Sequence, residues 1–346
     1  MDDSRLQYPF LKDVLSLSNK ELSSMSGSTV LITGGYGMLL SYTTLSICLY
    51  NSLNFDNRIN LIIIVRDRKK ALSKLSEFKG FEHTRIIESD LGNKLTIDGP
   101  LDYIIHGAGY GSPNDYLNKT DLVFKANIIG TYNLMNLAKE KNVKSFLNIS
   151  SGSVYGDNLT SEYVDEAFLG QVDYNQARSF YSETKRFSEM ITNVHSFSGS
   201  VLTLRPAHIY GPTMDIKNDS RIICSFIRDI VNNKPLTINS DGKDKRSFCH
   251  VADFTNGLLK VLINGVSGEK YNIGNDDMYM SINELAKIIA KSFPGLKISR
   301  QEDIIVRNEA NKMLMISNKL NSIGWKPKID ITDGFVSTFN YYNSSL

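Results

Sequence analysis

The sequence predicts an α/β fold, a doubly wound parallel sheet followed by a smaller α+β lobe. Three observations predict it. Short, continuous apolar runs recur between amphipathic stretches, as strands covered by helices on both faces require. The first run passes straight into a glycine-rich turn, VLITGGYGMLLS at residues 30–41. The alternation weakens near residue 205, where loops carrying Gly and Pro begin to separate the elements.

Residues 1–27 read as a polar N-terminal extension with room for one short helix, closed by Ser26-Gly27-Ser28. Residues 30–33 are the first predicted strand, and 39–51 the helix after it. Apolar runs at 61–66, at 84–87 (leading to Asp90) and at 102–107 supply the next three strands. Residues 120–141 read as a long helix or helix pair, and 145–151 as the fifth strand. Residues 28–205 are assigned to the sheet domain and 206–346 to the second lobe, with helices at 222–232 and 282–291 and some strands expected to return to the sheet. In such folds ligands sit at the carboxyl ends of the strands.

Composition removes several function classes. The 346 residues are 41% hydrophobic and 22% charged, with a formal net charge of +2, which gives no basis for a nucleic-acid partner. The longest purely apolar run, at 61–65, is far below the roughly 18 residues of a membrane span. No apolar signal core follows the charged N-terminus, so the expected location is cytoplasmic. Cys48, Cys224 and Cys249 are too widely spaced for a disulfide framework or a metal site and are expected to be buried and reduced. No metal is implied.

Gly34 and Gly37 are where a strand–turn–helix unit lets backbone N–H groups approach a pyrophosphate, with Met38 opening the helix whose dipole adds to the attraction. The third glycine of such turns is replaced by Leu40, expected to push the helix out or to point elsewhere. At the end of the second strand an acidic residue would bind a ribose 2′-OH, whereas an arginine would accept a 2′-phosphate. Arg66 stands there, with Arg68 nearby and Asp67 one place late, so NADP is favoured slightly over NAD.

Tyr181 and Lys185 lie four residues apart on one helix face. A neighbouring ammonium stabilises a phenolate, so the expectation is a lowered Tyr181 pKa and acid–base chemistry near neutrality. Ser150 and Ser151, ending the fifth strand, supply a hydroxyl partner.

These residues carry a resemblance. The chain resembles the extended short-chain dehydrogenase/reductases that act on nucleotide sugars, the NAD-dependent epimerase/dehydratase family. TGGYGMLLS, SDL (89–91), HGAGYGSP (106–113), KANIIGT (125–131), SSGSVYG (150–156), YSETK, RPAHIYGP (205–212), KRSFCHVAD (245–253) and KYNIGN (270–275) occur in the family's order over residues 28–335. The spacing is similar to that of the UDP-glucuronate decarboxylase and 4,6-dehydratase branch. The resemblance implies a Rossmann sheet and a nucleotide-sugar-binding C-terminal lobe. It also implies that Tyr181 exchanges a proton with the sugar, that Lys185 holds the nicotinamide ribose, and that Ser151 binds the reacting oxygen. Asp90 and Leu91 would flank the adenine, and Ala108 and Asn127 would line the cofactor cleft. Arg246 would reach the sugar nucleotide, with His208 and Arg221 beside it. It further implies a homodimer through helices that include the one bearing Tyr181, where Phe180, Phe187, Met190 and Ile191 are apolar.

Two departures bear on the reaction. Dehydratases of the family carry Asp-Glu after the catalytic hydroxyl residue, and decarboxylases a Glu at the second position; here stand Gly152 and Ser153. That disfavours elimination and decarboxylation and leaves hydride transfer with one proton relay. The other departure is His208, where the family usually has Asn; a histidine there would donate to a phosphate and titrate near neutral pH. The expected activity is reduction of a nucleotide-linked 4-keto-(6-deoxy) sugar. The alternatives are a 4-epimerase with tightly held NAD and a cofactor-binding pseudoenzyme. The Lys/Asn/Ile-rich composition suggests an AT-rich bacterial genome and surface-glycan precursor biosynthesis.

Overall fold

The computed structural model describes residues 9–76, 78, 80–111, 113–156, 161–300 and 312–343. In chain order its strands are β1 (Thr29–Thr33), β2 (Asn60–Val65), β3 (Thr84–Glu88), β4 (Tyr103–His106), β5 (Ser145–Ile149), β6 (Tyr163–Val164), β7 (Ser200–Pro206), β8 (His208–Tyr210), β9 (Leu236–Ile238), β10 (Lys245–His250), β11 (Lys270–Ile273), β12 (Tyr279–Ser281), β13 (Ile298–Arg300) and β14 (Leu314–Met315). Among the described residues a parallel sheet of seven strands runs in the order β11-β7-β5-β4-β1-β2-β3. β1 lies inside it between β4 and β2, with Ile32 level with Ile63 on one side and Ile105 on the other. The chain winds outward through β2 and β3, then returns to β4 and winds the other way. The carboxyl ends of β1 and β4 therefore flank the reversal point, where a crevice opens.

β1 and β5 are buried along their whole length, and β2 from Leu61 onward, which explains why they read as unbroken apolar runs. Helices α1 (Lys12–Ser24), α2 (Met38–Leu53), α3 (Arg68–Leu75), α4 (Pro113–Asn118), α5 (Thr120–Phe124), α6 (Gly130–Lys141), α7 (Ser179–Val194), α8 (Ile222–Val231) and α9 (Val251–Asn264) follow. The predicted stretch 120–141 is divided by one π turn, Lys125–Ile129, between α5 and α6. The extension read as polar contributes to the interior: Leu11, Leu22 and Met25 are fully buried. α1 is tied to α9 by the Lys260–Glu21 ion pair at 2.7 Å and by Asn256 Nδ2 donating to Leu17 O at 2.6 Å. Covered by this layer, α2 is buried at every position from Leu40 to Asn51.

The second lobe has a three-stranded sheet, β12-β10-β8, over a core that includes Phe226, Ile227, Phe248, Leu285 and Phe335. β11 leaves the lobe and pairs with β7, which fixes lobe to sheet. Among the described residues no helix is long and apolar enough to cross a membrane. The three cysteines are buried and free, and burial pushes the Cys48 and Cys224 thiols up to about 12.

Candidate active site

The turn after β1 is shaped by what a Cβ cannot do there. Gly34 has φ +77°, and a side chain would bring its Cβ to 2.8 Å from the Ala108 nitrogen and the Gly107 oxygen. Only glycine satisfies both constraints. Gly37 is the N-cap of α2; its N–H donates to Gly34 O at 2.9 Å and its carbonyl accepts from Ser41 at 2.8 Å. Leu40, the unexpected residue, turns inward. It is fully buried, and its Cδ1 occupies the space that a Cβ at Gly107 would need. The missing glycine of the turn is thus compensated by a glycine on β4's carboxyl end. The residues present fit a pyrophosphate: no Cβ can enter at Gly34, and the turn opens a sixteen-residue helix.

Past β2, Arg66 is exposed and lies over Tyr110, its Cζ 5.3 Å from the ring centroid. Asp67 caps α3 by accepting the Lys70 N–H at 2.9 Å. After β3, Asp90 Oδ1 accepts the Gly92 N–H at 2.8 Å. The Leu91 side chain belongs to the core beside Gly130, so only its backbone is available to a ligand. Ala108 N donates to Thr33 Oγ1 at 3.2 Å. The same hydroxyl meets His106 Nδ1 at 2.8 Å, and His106 Nε2 meets Thr131 Oγ1 at 3.1 Å. Thr131 in turn donates to Asn127 O in the π turn at 2.5 Å. Burial holds His106 neutral, its pKa pulled down to about 3. Asn127 Nδ2 donates to Thr184 of α7 at 2.9 Å, while its Oδ1 is buried without a partner and would lie 3.0 Å from a Cβ at Gly109. That orphaned acceptor faces the cleft loop, where a cofactor amide or hydroxyl would satisfy it.

Ser151, Tyr181 and Lys185 come together at the ends of β5 and α7. The Ser151 hydroxyl lies near enough to the Tyr181 phenol to lower its pKa, and it accepts the Ser153 N–H at 3.1 Å. The expected depression of Tyr181 is reversed. Burial dominates and holds the phenol above its ordinary value, and the cation that opposes burial is Arg221. Lys185 turns its ammonium to Ile149 O at 2.9 Å, with Nζ 6.0 Å from the Tyr181 ring centroid, and burial lowers it to about 8. The ring of Tyr116 stacks on Tyr181, centroids 5.0 Å apart and planes 15° from parallel.

Behind this trio lies a network that sequence reasoning missed. One turn beyond Lys185, Glu189 forms a bidentate pair with Arg205 of β7 (2.9 and 2.7 Å) and accepts the Ser150 hydroxyl at 2.5 Å. Arg205 also donates to Tyr155 Oη at 2.9 Å, and Tyr155 to Asn272 of β11 at 2.6 Å. Neighbouring charge holds the Arg205 guanidinium above its ordinary value despite burial. The four-residue step from Lys185 to Glu189 was legible as one helix face; its partner on a distant strand was not.

Across the crevice the second lobe presents a cleft of ≈ 360 Å³ lined by His208, Arg221, Asp244 and Arg246, among others. Arg221 opens α8, pairs with Asp219 and reaches Met38 Sδ at 3.4 Å. Thr213 takes φ +77°, rare for a β-branched residue, and its hydroxyl donates to Met38 O at 3.1 Å. Loop 211–221 is thereby clamped to the first residue of α2. Arg246 pairs with Asp244 at 3.0 Å. His208 is exposed on the cleft. Packing around its ring, then the Arg246 and Arg221 charges, pulls its pKa below the ordinary histidine value. The neutral ring retains one N–H to donate.

The elimination positions have a structural explanation. A Cβ at Gly152 would press on Met315 Sδ and meet Pro206 O at 3.2 Å, so any side chain at position 152 requires Met315 to move. Ser153 Oγ is buried without a partner. On α7, Phe187 and Met190 are exposed, whereas Ile191, expected with them on a dimer face, is buried in the sheet-side core and Phe180 is half-buried. Among the described residues no cluster of His, Cys, Asp and Glu could hold a metal ion.

A model of the NAD dependent epimerase/dehydratase family matches residues 30–274. UDP-glucuronic acid decarboxylase 6 of Arabidopsis thaliana is 28% identical over 312 residues, 89% of this chain and 87% of that protein. The dTDP-D-glucose 4,6-dehydratase of Mus musculus is 27% identical over 350 residues, 95% of this chain and 93% of that protein. Among solved structures, the UDP-glucuronic acid 4-epimerase of Bacillus cereus, in complex with UDP-glucuronic acid and NAD, superposes with a TM-score of 0.76. The two are 22% identical, over 92% of this chain and 100% of that one.

Proposed function

The chain belongs to the NAD dependent epimerase/dehydratase family, and from that premise we propose that it performs NAD(P)-dependent redox chemistry at C4 of a nucleotide-activated sugar, reducing the 4-keto group of an NDP-(6-deoxy) sugar. One observation carries the reading: Ser151, Tyr181 and Lys185 converge beside Gly152 and Ser153, neither of which carries a carboxylate. That set relays a proton but lacks the second acid–base pair that water loss or decarboxylation uses in this family.

A bound nicotinamide dinucleotide supplies hydride. The residues of this chain do the rest. Gly34, Gly37 and Met38 hold the pyrophosphate on backbone N–H groups and the α2 dipole. Asp90, the Leu91 backbone, Ala108 and Asn127 line the cofactor cleft, and Arg66 faces the adenosine 2′ position, where NADP is favoured. Tyr181, kept protonated by burial, gives its phenolic proton to the sugar oxygen as that oxygen gains charge; Ser151 fixes the oxygen by hydrogen bonding. Lys185 binds ribose hydroxyls. Arg221 and Arg246 carry the charge that meets the substrate diphosphate, with paired N–H donors suited to it, and neutral His208 adds a single donor. The exposed apolar face of α7 supports a homodimer, and the three buried thiols fit a reducing cytoplasm.

The test is to denature the purified protein and identify any released dinucleotide by mass spectrometry, then to titrate the cofactor-free protein with NADPH and NADH. An empty protein that binds NADPH supports the reductase. Tightly held NAD sinks it and favours a 4-epimerase, which uses the same trio in an internal hydride cycle. Binding of neither removes the enzymatic reading.

A further inference from the structure

On the reading above, Arg221 meets the substrate diphosphate, which requires loop 211–221 to stay in place. The groups that hold this loop are therefore part of the site. Two of its contacts are local to the crevice, where Thr213 and Arg221 bind Met38 at the start of α2. Another comes from the far end of the chain. The last helix, Ile331–Asn343, joins the core of the second lobe through Ile331 and Phe335. Near its C-terminus the Tyr342 hydroxyl donates to Met214 O at 2.6 Å. Met214 lines the cleft together with Arg221.

The end of this helix is braced by a segment from the start of the chain. The Tyr342 ring meets Tyr341 edge-on, centroids 4.9 Å apart, and Tyr341 meets Phe10 at 4.7 Å. Phe10 lies in the turn Pro9–Leu11 ahead of α1, next to the fully buried Leu11. Its ring also packs on Tyr42 of α2, centroids 6.2 Å apart, and its carbonyl accepts the Tyr42 hydroxyl at 2.5 Å. The contacts form a closed circuit. It leaves α2 at Met38, crosses loop 211–221 to Tyr342, passes through Tyr341 to Phe10, and returns to α2 at Tyr42. Met38 and Tyr42 are four residues apart, about one turn of the helix.

We propose that Phe10 and Tyr342 are positioning residues for the nucleotide-sugar site. Phe10 braces the last helix, and Tyr342 holds Met214 so that Arg221 faces the diphosphate. A loop that orders only on binding loses backbone freedom at that moment, and a loop held beforehand avoids that cost. Thr213, at φ +77°, shows that the loop is held firmly, because such a backbone persists only where its surroundings over-determine it. Edge-on aromatic pairs suit the brace, since their geometry favours one relative placement of the rings.

Hydrogen exchange read by mass spectrometry tests the loop without any ligand, and calorimetry tests the site. The wild type is first titrated with UDP, dTDP, GDP and CDP, and the tightest of these is used for the variants. Tyr342→Phe keeps the ring and removes one donor. It should speed exchange of the 211–221 amides and weaken the diphosphate, each about three- to tenfold, while moving dinucleotide affinity by less than about twofold. Phe10→Ala should give the same pattern and also lower the thermal midpoint. Wild-type exchange and diphosphate affinity in both variants, even with a lowered midpoint, would mean that these residues only stabilise the fold, and would overturn the proposal while the functional reading stands. Equal weakening of diphosphate and dinucleotide also overturns it. A wild type that binds none of the four diphosphates overturns the functional reading, and the proposal with it.

Discussion

On the sheet side of the crevice, the groups facing a ligand are held by partners that are themselves buried. Lys185 rests on Ile149 O, Ser150 on Glu189, Glu189 on Arg205, and Asn127 on Thr184 and Thr131. On the lobe side the same task falls to pairs nearer solvent, Arg221 with Asp219 and Arg246 with Asp244. Under the proposed function, the difference follows from what each side would do. Placing a reacting tyrosine demands positional accuracy, which interlocked buried polar groups provide because each is costly to leave unpaired. Meeting a mobile diphosphate demands available charge, which solvent-accessible arginines retain.

The comparison can be broken most directly by deleting one member from each side. Glu189→Ala leaves the Arg205 charge buried without its partner, and urea denaturation should show a loss of about 3–5 kcal/mol. Arg246→Ala should cost less than about 1 kcal/mol of stability yet weaken binding of UDP or TDP about tenfold or more in calorimetry. Equal stability losses at the two sites would erase the distinction.

Leu40→Ala sharpens the account of the turn. It makes the chain look more like the expected glycine pattern, yet it empties the space over Gly107. Stability should therefore fall by about 2–4 kcal/mol in the same denaturation assay. A neutral result would mean that the leucine is merely tolerated.

The acid limb tests a buried histidine on each side. His106 and His250 are buried with pKa values near 3. Both stay neutral in the folded chain but take up protons below about pH 6.5 once unfolded. Their contribution is complete above pH 6.5 and is lost as the pH falls toward 3, at up to about 1.4 kcal/mol per pH unit each. His106→Asn should flatten the measured slope by roughly one proton.

The smallest effect concerns the outer face of α7. Met190 is 57% and Val194 78% exposed. Met190→Glu should convert the expected dimer to monomer in sedimentation velocity while shifting NADPH affinity by less than about twofold. A wild-type monomer would remove that assembly from the account.

Much of the sheet was legible because buried parallel strands must be apolar throughout: each sheet strand from β1 to β5 falls within a residue or two of its expected place. Ser151, Tyr181 and Lys185 were legible because a strand end and a four-residue helix step are local features. Their electrostatics were not. The pairing of Tyr181 with Lys185 suggested a lowered phenol pKa, but helix geometry does not say where an ammonium points, and it points to β5. Thr213, Tyr110 and Met315 carry no local signal at all; each matters through a residue far away in the chain.

The sequence by itself determined the first five strands of the sheet, the glycine turn, the Tyr181–Lys185 helix step and the absence of a carboxylate after Ser151, since these depend on residue type and short spacing. Only the tertiary structure decided what fills the space at Gly107 and Gly152, which carboxylates are already engaged, and which cation acts on Tyr181. Those outcomes depend on packing and charge between segments brought together by the crossovers of the sheet, where a distance of a few ångströms between remote residues determines whether a group is available for chemistry.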